Sequence, residues 1–237
     1  MLSIRNLSKT FPGGKKAVDG VNLEIQSGDI YGFIGHNGAG KTTTIKCVTG
    51  IYPFDEGEIL IDGISIKDDP ISCKRLFAYI PDNPDLYEHL TGLQYLNFIA
   101  DIFDVPKDVR MQRITSYARE FEIYSRLGES IGAYSHGMKQ KLAILSALIH
   151  QPKLLILDEP FVGLDPKASY TLKQILSQLC QNGSAVFFST HVLEVAEKIC
   201  NKIAIIKDGR IITSGETQAV KGEESLEEVF LELIDHE

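Results

Sequence analysis

Residues 35–42, GHNGAGKT, constrain this chain more than any other stretch, because they fit G-x-x-x-x-G-K-[ST] with suitable flanks. An apolar run with strand character at 29–34 precedes the segment, and residues 43–48 can start a helix. A strand, glycine-rich loop and helix in that order make a phosphate cradle. Gly35, Gly38 and Gly40 let the backbone take positive φ and turn amide groups inward, with His36, Asn37 and Ala39 between them. The helix start adds a positive dipole where β- and γ-phosphates would lie. Lys41 supplies a mobile charge, Thr42 offers a hydroxyl oxygen to Mg²⁺, and Thr43 follows in the same turn.

A second apolar run, 153–157, suits a strand buried on both faces. It ends in Asp158 and Glu159, at what should be the C-terminal edge of a parallel sheet. There Asp158 would hold Mg²⁺ through a water, and Glu159 would take a proton from an attacking water. Either carboxylate alone would be explained as a cap on the next helix. Both together, downstream of a cradle, argue for chemistry.

Nearly end to end, the chain resembles the nucleotide-binding subunit of an ABC transporter. Phe11 stands at the adenine-stacking position with Val18 nearby. Residues 35–42 match Walker A, 135–140 the signature, 154–159 Walker B and 163–166 the D-loop, and His191 matches the switch histidine. The resemblance implies ATP and Mg²⁺ as cofactors and two subunits packed head to tail. Each would sandwich ATP between its own Walker A and the partner's signature loop. Ser135, His136, Gly137 and Asp165 would then act on the partner's nucleotide, while His191 would contact the γ-phosphate and hold Glu159 and the water. A separate integral membrane subunit would receive the motion, placing the protein in the cytoplasm on the inner face of the membrane. A soluble ABC-type ATPase of translation or DNA repair is the alternative, but those resemble paired or coiled-coil-split chains with basic surfaces. A non-hydrolysing subunit sits poorly with Glu159 and His191.

Two positions depart from the family pattern. Asp82 stands where the family carries Gln; it keeps a hard oxygen for Mg²⁺ with shorter reach, or else only begins a turn with Pro81, Asn83 and Pro84. His136 stands where the family usually has Gly, and its imidazole would face the partner's γ-phosphate or solvent. Phe11 likewise has a plainer reading, as an aromatic packing under a loop.

Composition narrows the classes. A length of 237 residues suits one nucleotide-binding domain, 1–237, and no run approaches the roughly 20 apolar residues a membrane span needs. The N-terminal residues show no apolar targeting core. Cys47, Cys73, Cys180 and Cys200 lack CxxC spacing, which speaks against a metal site or disulfide framework. The net charge of −8 is concentrated in the last 16 residues, and no basic stripe suits nucleic acid.

The remaining pattern predicts an α/β fold: a P-loop NTPase core with a parallel sheet, an antiparallel β-subdomain and an inserted helical subdomain. Strands are expected at 2–7, 21–25 and 58–61, with Asp62-Gly63 and Asp208-Gly209 closing hairpins of the small β-subdomain. Helices at 93–103, 109–121 and 137–149 would form an insert over about 83–150. Helices at 171–179 and 193–199 would alternate with strands at 185–189 and 203–206. Leu226, Val229, Phe230, Leu233 and Ile234 follow helical spacing, which predicts an amphipathic tail helix over about 224–236 that docks on the core. The phrase SLEEVFLELI also resembles the end of export-type subunits.

Overall fold

Turn chemistry and two-residue alternation sort the strands into two sheets. A computed structural model describes residues 1–235, with side chains for residues 1–233. The chain runs β1 (Leu2–Thr10), β2 (Lys16–Ile25), β3 (Ile30–Ile34), α1 (Lys41–Val48), β4 (Glu56–Ile61), β5 (Ile64–Ser65), α2 (Pro70–Leu76) and β6 (Phe77–Ile80). Three helices follow: α3 (Gly92–Ile102), α4 (Lys107–Glu120) and α5 (His136–Leu148). Then come β7 (Leu154–Asp158), α6 (Pro166–Gln181), β8 (Ala185–Thr190), α7 (Leu193–Ile199), β9 (Lys202–Lys207), β10 (Arg210–Glu216), α8 (Thr217–Lys221) and α9 (Leu226–Asp235).

The smaller sheet, in the order β2-β1-β4-β5, is antiparallel. The larger runs β10-β9-β3-β8-β7-β6 and is parallel from β9 to β6. Asp62 (φ 52°) and Gly63 (φ 81°) supply the two positive φ angles that a two-residue hairpin turn needs, and Asp208 and Gly209 do the same between β9 and β10. The second hairpin corrects an expectation, because it belongs to the large sheet. Ile203, Ala204, Ile205 and Ile206 are all buried, and a run apolar on both faces needs cover on both. Pairing β9 beside β3 provides it, and β10 closes that edge.

The same logic explains the unbroken apolar run of β7. Leu154 and Ile156 enter the core shared with the small sheet, while Leu155 and Leu157 enter the core under the helices. All four are fully buried, so each contributes about 2 kcal/mol, and truncating Leu155 to Ala would cost about 2–5 kcal/mol.

Of the helices between β6 and β7, α3 and α5 start with a side-chain cap. Thr91 caps α3 by accepting from Gln94 N at 3.2 Å, and Gln94 Oε1 accepts from Thr91 N at 2.8 Å. At the other end of the chain, α9 docks as expected. Leu226 is buried, Phe230 and Leu233 pack against the same core, and Glu227 and Glu228 face outward. The expected helix end at residue 236 and the packing of Ile234 lie outside the described residues.

Candidate functional site

Strands β3, β8, β7 and β6 are neighbours and parallel, so the segments that leave their C-terminal ends converge. These are the 35–40 loop, His191, Asp158 with Glu159, and Asp82. Among them lies a pocket of about 280 Å³ whose walls include Phe11, Lys41, Thr42, Asp82 and Glu159, while Asp158 and His191 do not line it.

The loop's shape demands glycine at two places. A Cβ on Gly40 (φ 109°) would lie 2.5 Å from Ala17 O, and one on Gly35 would lie 2.5 Å from Ile206 O. Gly40 sits at the N-cap of α1 without a side-chain cap, so the first-turn amides have no side-chain acceptor from the cap. Asn37, Gly38 and Thr43 also line the pocket. His36 is exposed, with Nδ1 3.0 Å from Asn37 O, and Ala39 is buried under the loop, where its carbonyl accepts from Gly209 N at 2.9 Å. Lys41 is 6% exposed and donates to Gly35 O at 2.6 Å and His36 O at 3.2 Å.

At the acidic end, Asp158 is buried and accepts a hydrogen bond from the Ser189 hydroxyl. Ser189 Oγ in turn accepts from Glu159 N at 3.1 Å. Glu159 has φ 49° and is 13% exposed at its side chain. Its Oε1 lies 3.5 Å from Lys41 Nζ and is buried without a hydrogen-bond partner, while Oε2 lies 3.0 Å from His191 Nδ1. The carboxylate thus stands between the cradle lysine and a half-exposed imidazole. Ser189 was not singled out by sequence reasoning; its place two residues before His191 on the neighbouring strand was the available signal.

At the opposite mouth, Phe11 meets Tyr52 edge to face at 5.6 Å, with Lys9 5.5 Å from its ring centroid. Val18 requires a correction. It is wholly buried in the core between the sheets, because alternation along β2 turns it inward and presents Ala17 to the pocket instead. Lys15 also lines the pocket and carried no motif that marked it.

Ser135, His136, Gly137 and Asp165 do not line this pocket; they form a second group. Ser135 caps α5, accepting from Met138 N at 3.3 Å. Asp165 caps α6, accepting from Ala168 N at 2.8 Å, and pairs with Lys141 at 2.7 Å. The Lys141 hydrogen bond, then the backbone bond from Ala168, hold its carboxyl below the usual Asp range. The His136 ring lies against Gly163 of its own chain.

Residues 18–162 match the ABC transporter family. An uncharacterised ABC transporter ATP-binding protein of Nostoc sp. is 36% identical over 88% of this chain, which spans 62% of that protein's length. EcsA, an ABC-type transporter ATP-binding protein of Bacillus subtilis, is 32% identical over 98% of this chain and 96% of its own. A solved structure of an ATP binding subunit of an ABC transporter superposes with a TM-score of 0.95, at 34% identity and over 99% of both chains.

Proposed function

This chain belongs to the ABC transporter family, as an ATP-binding, ATP-hydrolysing subunit that drives transport, and from that premise we propose how its residues divide the work. ATP-binding subunits of this family dimerise and work with membrane subunits.

The observation that carries the proposal is the placement of Glu159. A buried carboxylate oxygen without a hydrogen bond is costly, and this one borders the pocket beside Lys41. It is the base: as a water oxygen bonds to the γ-phosphorus and the bond to the ADP oxygen breaks, Oε1 takes the water's proton. His191 holds the other oxygen, which fixes the direction of Oε1. Lys41 and the first-turn amides of α1 neutralise the phosphate charge, and Phe11 stacks on adenine. Thr42, Asp82 and, through a water, Asp158 would supply hard oxygens of the kind Mg²⁺ takes. That ion would draw charge from the β- and γ-phosphates.

In the dimer, Ser135, Gly137 and Asp165 serve the partner's nucleotide. The whole chain is one nucleotide-binding domain, with its helical insert over about 83–150. A cavity of about 340 Å³, lined by Ile51, Tyr79, Tyr95, Ile99, Phe103 and His150, receives the membrane subunit. Exposed Tyr87, Phe98 and Ile102 extend that apolar surface, and Tyr87 packs edge-on against Tyr95 and Phe98. By contrast, Leu86 is buried and Leu90 packs inward. No helix among the described residues is long and apolar enough to cross a membrane, so we place attachment to the inner membrane face on this partner. The tail's resemblance to export-type subunits favours export. Purification from native membranes should recover one integral membrane protein in stoichiometric amount; recovery with a soluble translation or repair complex would overturn the transport reading.

A further inference from the structure

His136 is the signature residue that the division of labour above leaves without a task. Three segments meet around it. On one side is the loop after β7: a Cβ on Gly163 (φ 78°) would lie 2.7 Å from His136 Cδ2 and 2.8 Å from Nε2, so the ring rests on the bare Gly163 backbone. A Cβ on Gly137 would lie 3.0 Å from Gly163 O, so the start of α5 and this loop are in close approach at two successive residues. One turn further along α5, Lys141 pairs with Asp165 at 2.7 Å. On the other side, His136 borders a cleft of about 430 Å³ shared with Asn83, Asp85 and Glu88, the loop that follows Asp82. Lys139 pairs with Glu88 across it. Glu88 O is anchored in turn by Ser130 Oγ at 2.7 Å and Gly132 N at 3.0 Å.

We propose that His136 is a positioning residue: its ring acts as a spacer on Gly163 that sets Ser135 and Asp165 at a fixed separation, so that both reach the partner subunit's nucleotide together. The proposal rests on the ATP-driven dimer described above. A smaller residue at 136 would leave the Gly163 backbone uncovered, and the 160–165 loop would keep only the Lys141–Asp165 pair and the Gly137 contact to hold its register. The ring's role is steric, through its Cδ2–Nε2 edge. Its charge is not required.

That distinction sets the test. In a Glu159→Gln background, which traps the nucleotide-bound pair, the dimer dissociation constant in Mg-ATP is measured by analytical ultracentrifugation for His136, His136→Ala and His136→Phe. Nucleotide affinity of the monomer is measured by fluorescent ATP titration, and kcat and KM are measured for the same changes with Glu159 intact. His136→Ala should weaken the dimer and lower kcat by about fivefold to tenfold, the size of coupling usual between contacting residues. Monomer affinity and the melting temperature should stay unchanged, because His136 does not line the nucleotide pocket. His136→Phe, which restores a flat ring without charge or hydrogen bonds, should recover most of both losses. Gly163→Ala should cost less in the His136→Ala background than alone, since the ring its methyl would strike is gone.

Failure of the Phe variant to rescue, or additive costs in the Gly163 pair, would overturn the spacer role. An unchanged dimer in His136→Ala would do the same and leave the proposed function standing. Absence of any ATP-dependent dimer in Glu159→Gln alone would overturn both.

Discussion

The two groups of functional residues differ in how they are held. Around the phosphate loop, Lys41, Asp158 and Glu159 are 6%, 1% and 13% exposed and bond to one another, to Ser189 or to the loop backbone. Around the signature, Ser135, His136 and Asp165 are exposed, Ser135 and Asp165 cap helices, and Asp165 pairs with one lysine. The first region is complete within one chain. The second is braced by its own chain yet turned outward, as the proposed action on a nucleotide held elsewhere requires. Substitutions in the first region should therefore act on the nucleotide a subunit itself holds, and those in the second on the nucleotide its partner holds.

The largest effect should come from Glu159→Gln, which keeps size and hydrogen bonding but removes the base. Hydrolysis should fall by about 10²- to 10⁴-fold while ATP binding by the monomer persists. Unchanged single-turnover hydrolysis would break the comparison at its stronger end.

Next in size is an effect outside both regions, in the cavity beside α3. His150 stacks on Phe103 with 3.7 Å between ring centroids, and burial pushes its imidazole down to about 4. The folded chain keeps this ring neutral, whereas the unfolded chain takes up a proton near 6.5. Stability is therefore whole above about pH 6.5 and is lost as pH falls toward 4, by about 3 kcal/mol over the full window. Asp62 and Asp165, held below the usual Asp range by Lys153 and Lys141 respectively, act only below about pH 4. His150→Phe should flatten the fall in urea midpoint between pH 7 and 5. Parallel curves for the two proteins would show that His150 does not titrate this way.

Ser135→Ala tests the second region directly. Losing one hydrogen bond to a charged phosphate should lower kcat by about tenfold, at about 1.5 kcal/mol, with monomer ATP affinity unchanged. Weakened ATP binding by the isolated monomer would mean that the two regions are not separate. The smallest expected effect is at Asp82, whose side chain reaches the pocket from an exposed loop. Asp82→Ala should raise the Mg²⁺ needed for half-maximal hydrolysis by less than about tenfold, since Mg²⁺ keeps several waters, and Asp82→Gln should retain much of the activity. Identical Mg²⁺ titrations would leave Asp82 a turn residue.

Local sequence was enough wherever one short segment carries both its shape and its chemistry. The glycines and Lys41 of the cradle, the apolar run ending in Asp158 and Glu159, and the Asp-Gly turns each state their structure through backbone freedom or period. The tail's spacing likewise gave its docked face. What the sequence left open were facts about which side of an element faces what. Val18 and Ala17 are neighbours, and only the packing of β2 against the core between the sheets decided that Ala17 meets the pocket. The β9–β10 hairpin has the turn of a small antiparallel sheet, and only its partner β3, distant in sequence, put it in the large one. Ser189 joined the site through its neighbour on β7, and His136 gained a surface to rest on because Gly163 came to lie beneath it. Short-range sequence fixes φ, ψ and period, but strand order pairs residues as far apart as Tyr31 and Lys202, and the faces they share exist only once the sheet has closed.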